Sequence, residues 1–133
     1  MENTHTISEK QARGLIEDEL FDLTLYQKLR SMTSDQGLIS ILDQLIAVEI
    51  GHLAFWKKFF ATEDVSLSIG KKAKLSLLVF VCSLGRAPVT HLTLEAIEIY
   101  GIKKYLKLWR LYQNDPLGLA IKTILEDELR HED

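Results

Sequence analysis

The chain has 133 residues, 47% of them apolar and 26% charged, with 16 basic against 19 acidic side chains and a formal net charge of -3. That length suits one domain that buries about two thirds of its surface without disulfide staples. The basic residues are scattered rather than gathered into a stripe, so nucleic acid is not an expected partner.

The single cysteine, Cys82, lies in the apolar run LSLLVFVCSLG and reads as a buried, unreactive thiol. A reducing, cytoplasmic compartment is the matching expectation. MENTHTISEK has no charged-then-apolar signal layout. The longest continuous apolar run, Leu75 to Leu84, is about half of what a bilayer span requires, so the chain taken alone is expected to be soluble.

Two prolines and seven glycines punctuate long segments with apolar residues every three or four positions, so the protein is expected to be all-α. Ser8 with Gln11 makes a capping-box pattern that opens a first helix, Glu9 to about Met32, with Ala12, Ile16, Leu23, Tyr26 and Arg30 along one stripe. SMTSDQG ends it. A second helix follows from about Asp35 to Ala61, with Leu38, Leu42, Leu45, Leu53, Trp56 and Phe60 inward. After the connector TEDVSLSIG, a short apolar helix covers about Lys71 to Leu84 and stops at Gly85. Pro88, a favoured first-turn residue, starts a third long helix that reaches Tyr112. Asn114, Asp115 and Pro116 mark the next boundary, with Asp115 as N-cap of a fourth helix. The roughly 26 residues between the second and third long helices exceed what an antiparallel hairpin needs. Those helices are expected to run parallel, in a four-helix bundle with a short crossover helix.

Each long helix places a polar group on its apolar stripe. Glu19 falls in the middle of the first; Glu49 and His52 lie between Leu45 and Trp56; Glu95 and Glu98 lie on or beside the stripe of Leu92, Ile102, Tyr105 and Trp109; and the fourth reads Leu117, Ile121, Ile124, Glu128, His131. Buried carboxylates are costly unless paired or metal-bound, and four helices with the same anomaly imply one shared partner. Residues three apart share a helix face, so EIGH at 49 to 52 and ELRH at 128 to 131 can each offer a carboxylate and an imidazole to adjacent metal ions. Carboxylate oxygen plus imidazole suits iron or manganese, whereas the lack of thiolates argues against a structural zinc knot. Glu2 and His5 share the spacing but precede the first cap and have no apolar stripe, so they are a chance match. His91 has no acid three residues before it and reads as a surface or supporting histidine. Glu95 and Glu98 either both act as ligands or divide into one ligand, with Glu95 favoured, and one solvated acid. Tyr26 and Tyr105, seven residues after Glu19 and Glu98, are core aromatics that can also support the metal site through their hydroxyls.

These patterns, ELFDLTLY, AVEIGH, EAIEIYGIKKY and ELRHE, resemble the rubrerythrin-type branch of the ferritin-like superfamily across all four long helices. WKKFFATEDVSLSIGKKAKLSLLVFVCSLG is further similar to the N-terminal ferritin-like domain of vacuolar iron transporter family proteins. The resemblance implies a cofactor of two iron ions, with manganese as the other fitting metal. Glu49 and Glu128 would bridge them, Glu19 and His52 would be terminal on one, Glu95 and His131 terminal on the other, and Glu98 would be an additional acid. It implies ferrous iron and dioxygen or peroxide as partners, in oxidation or sensing of iron at the cytoplasmic face of a transporter. Full rubrerythrins hold a further iron with four cysteines, which one cysteine cannot supply. His131 lies two residues before the end of the sequence, so a continuation past Asp133, into a membrane part, is the expectation. The alternatives are a stand-alone peroxide-reducing oxidoreductase and a non-catalytic bundle with ion-paired acids. The apolar LLVFV segment also makes a homodimer the expected assembly.

Overall fold

The computed structural model describes residues 9–61, 65–114 and 116–132, and the side chains of all of these except 9 and 127–132. Among the described residues the protein is all-α, with four helices: α1 (Glu9–Met32), α2 (Gln36–Phe59), α3 (Ile69–Tyr112) and α4 (Pro116–Glu132). They divide between two compact units, one holding α1, α2 and α3 through Thr93, the other holding α3 from Leu94 together with α4. The expected caps at Ser8 and Asp115 lie outside the described residues, as do Glu2 and His5.

In the first unit, α1 and α2 form a helical hairpin across residues 33–35. Asp35 ends the turn as N-cap of α2: its backbone is extended (φ -73°, ψ 116°) and its carboxylate accepts the Leu38 N–H at 2.9 Å. Arg30 of α1 meets Asp43 of α2 at 2.7 Å beside this turn, and the carboxylate raises the guanidinium pKa further above its ordinary value. Glu19 and His52 meet farther along both helices, which is the pairing order of an antiparallel pair. Ala12, Leu15, Ile16, Leu23, Leu25, Tyr26 and Leu29 of α1 are buried, as are Leu38, Leu42, Leu45, Leu53 and Trp56 of α2. Arg30, expected on the inward stripe, is exposed, since the ion pair with Asp43 keeps its charged end in solvent.

The start of α3 is tied to α1 by polar contacts. Ser68 precedes the helix, its hydroxyl accepts the Lys71 N–H at 3.3 Å, and its own N–H donates to Glu17 Oε2 at 2.6 Å. Lys71 Nζ pairs with Asp18 at 3.0 Å, and Lys74 Nζ lies 5.6 Å from the centre of the Phe21 ring. Leu75 and Cys82, seven residues apart and so on one face, are buried. The cysteine Sγ lies 3.5 Å from Thr93 Oγ1.

The short helix and the third long helix expected from the sequence form one interrupted helix. The interruption falls on Arg86, whose φ of 60° and ψ of -149° leave the helical region. Pro88 cannot donate the backbone hydrogen bond that the Leu84 carbonyl would accept in an unbroken helix, and just past the break the Arg86 carbonyl accepts the Thr90 hydroxyl at 2.9 Å. Gly85 stays helical, and a Cβ there would run into the Val89 side chain, so no larger residue fits the position. Beyond the break, the buried positions are Thr90, Leu94, Glu98, Gly101 and Tyr105, so Leu92 is exposed rather than inward. In the second unit, Leu94, Glu98, Gly101 and Tyr105 are joined in burial by Leu117, Ala120, Ile121, Ile124 and Leu125 of α4.

Although Leu75 to Leu84 is short as a continuous run, α2 and α3 each contain an 18-residue window of membrane-span length and apolarity, with mean hydropathy 1.6 and 1.5. Only 28% and 17% of those windows are buried. Trp56 is fully buried, so Trp56→Ala is expected to lower unfolding stability by about 3–5 kcal/mol in denaturant titration. Asp35→Ala, which removes only the cap, should cost about 1 kcal/mol by the same measurement.

Candidate metal centre

The stripe of α1 runs Ala12, Ile16, Glu19, Leu23, Tyr26, and that of α2 runs Leu38, Leu42, Leu45, Glu49, His52, Trp56. Steps of three and four keep each set on one face, so the polar residues enter the hairpin interior in phase with their apolar neighbours. Glu19 is 3% exposed, Glu49 2% and His52 3%. Among the described residues, the buried charged or polar side chains are these three with Thr90 and Glu98, and neither lysine nor arginine is in that set.

The three side chains converge. His52 Nδ1 lies 3.8 Å from Glu19 Oε2 and 4.0 Å from Glu49 Oε1, and one donor atom from each residue falls within a 4.8 Å cluster. Those separations exceed ordinary hydrogen-bond lengths, which run to about 3.2 Å for nitrogen and oxygen. They match donors held by a common cation, since two ligands each about 2.1 Å from one metal sit roughly 3 to 4 Å apart. The donor types therefore suit one divalent cation: carboxylate oxygens and one imidazole, shielded from water, on two helices joined by a short turn.

The consecutive acids of α1 separate cleanly. Glu17 and Asp18 turn towards α3, holding Ser68 and Lys71, while Glu19 is carried into the hairpin. Tyr26 is fully buried on the Glu19 stripe. In the second unit Glu98 is 8% exposed and Glu95 is exposed, so the burial falls on the acid that sequence reasoning ranked second. Tyr105 is buried there, with Lys104 Nζ 4.7 Å from its ring centre, and His91 is exposed. The side chains of Glu128 and His131 lie outside the described residues, although the α4 backbone is helical through both. The tether made by Glu17 and Asp18 had no sequence signal beyond a run of three acids, because what distinguishes them is the position of α3.

No family model, curated protein or solved structure matches the chain.

Glu49→Gln keeps the side-chain shape and removes one charge from the cluster. Metal-free protein carrying it is expected to be as stable as the wild type or more so, measured by its denaturant midpoint. A loss of about 3–5 kcal/mol would instead show that Glu49 belongs to a buried ion pair.

Proposed function

We propose that this chain is an iron-binding protein of ferritin-like type, holding the metal through Glu19, Glu49 and His52. The observation that carries the reading is the buried convergence of two carboxylates and an imidazole from α1 and α2. Manganese fits the same donors. A two-ion centre would take its second ligand set from Glu95 or Glu98 with Glu128 and His131, as the repeated Glu-x-x-His pattern expects, and the fold proposed with it is a four-helix bundle.

Within the hairpin, each residue has a definable part. Glu49 and His52 present their donors from one turn of α2, and Glu19 presents its carboxylate across from them. The surrounding apolar residues exclude water, which strengthens attraction between the carboxylates and a cation. Bound ferrous iron supplies single electrons, and a pair of ions supplies two at one place for dioxygen or peroxide. The role proposed for this chemistry is oxidation or sensing of iron on the cytoplasmic side of an iron transporter, a placement supported by the sequence resemblance.

Chelator-treated protein titrated anaerobically with ferrous iron is expected to take up about two ions per chain if both Glu-x-x-His pairs contribute, and about one if the hairpin acts alone. Metal at a hundredfold excess over its Kd should raise unfolding stability by about 2.7 kcal/mol. Glu19→Gln, Glu49→Gln and His52→Gln should each weaken uptake and this stabilisation, whereas His91→Gln should preserve both. A folded wild-type protein that takes up no ferrous or manganous ion would overturn the proposal.

A further inference from the structure

The outer side of α3 carries a second feature, independent of the metal centre. Ile69 is 85% exposed, Leu77 61%, Phe80 59%, Val81 41% and Leu84 69%. Ile69, Leu77, Phe80 and Leu84 follow helical spacing, so they form one stripe about 22 Å long at 1.5 Å per residue. It lies opposite the buried Leu75 and Cys82. Isolated exposed apolar residues are ordinary, but a continuous stripe of this size marks a surface with an occupant.

Charge identifies the kind of occupant. From Val65 to Leu94 there is no aspartate or glutamate, while Lys71, Lys72, Lys74 and Arg86 are all present in a chain whose net charge is -3. Lys71 turns inward to Asp18. Lys72 and Lys74 are exposed, Lys74 with its ammonium 5.6 Å from the Phe21 ring centre, and at about 100° per residue they fall roughly 90 to 110° to either side of the stripe's centre. An apolar face flanked by lysines on both sides of its N-terminal end is an arrangement that suits a helix lying in a lipid interface, with apolar side chains in the acyl boundary and ammonium groups at the headgroups.

We propose that this stripe, rimmed by Lys72 and Lys74, docks the chain on an anionic lipid surface. Charge complementarity favours lipid over a second copy, because two such faces brought together would also bring together their basic rims. The helix lies along the surface instead of crossing it, since its inner side is covered by the chain's own residues and held by the contacts of Ser68 and Lys71.

The test is flotation of the purified full chain with preformed vesicles, either pure phosphatidylcholine or phosphatidylcholine with 30% phosphatidylserine. Binding is expected to the anionic vesicles, to weaken in high salt, and to fall roughly fivefold for each lysine removed in Lys72→Gln and Lys74→Gln. Phe80→Glu and Leu84→Glu, both at exposed positions, should abolish binding while leaving the circular dichroism spectrum unchanged. Equal binding to neutral and anionic vesicles would overturn the proposal, as would no vesicle binding by the wild type. A dimer in sedimentation that Phe80→Glu dissolves, without vesicle binding, would assign the stripe to self-association instead.

Discussion

Glu19, Glu49 and His52 occupy places in the α1–α2 hairpin where leucine would complete an ordinary apolar seam. Burying them costs desolvation of two carboxylates and an imidazole, which their polar interactions and the hydrophobic packing around them together offset. The packing is concentrated where it can do so: Tyr26 and Trp56 are fully buried, with Ile16, Leu38 and Leu42 on the same helices. A short turn capped by Asp35 joins the two helices and sets their approach. The hairpin therefore holds these polar groups together in an interior shielded from water.

Much of this was legible in the residues because both helices have strong, simple periodicity. Glu19, Glu49 and His52 interrupt apolar stripes whose phase is fixed by neighbours on either side, so their burial follows from counting in threes and fours. Helix ends were legible where a capping residue or proline marks them, as at Asp35 and Pro116. The same method ranked Glu95 ahead of Glu98 because it ran one stripe through Leu92, whereas the buried positions run through Leu94 and Gly101. Two acids three residues apart differ by only about 60° around a helix, so a small error of phase reverses their burial.

Other features depend on distant parts of the chain. Lys71 was an ordinary basic residue until α3 was placed beside Asp18, and Glu17 an ordinary acid until Ser68 came within 2.6 Å. Gly85 and Pro88 announced a helix boundary, but the backbone break passes through Arg86, a residue whose type gives no such signal. Composition likewise revealed that the outer side of α3 is apolar, without telling which of its residues would be covered. The inner contacts of Leu75 and Cys82 settle that division and leave Phe80 and Leu84 outward.

The run Glu17, Asp18, Glu19 has a consequence for how the length of α1 can change through mutation. Two of these neighbours anchor another helix and the third enters the polar cluster, so identical chemistry is sorted only by angular position. One amino acid inserted between Glu19 and Leu23 would turn the trio by about 100° relative to the stripe that follows and exchange tether for ligand. Four inserted together would nearly restore the angle while moving the acids one helical turn away from His52. Deletions and duplications within this segment therefore face a stricter filter than substitutions on its solvent side.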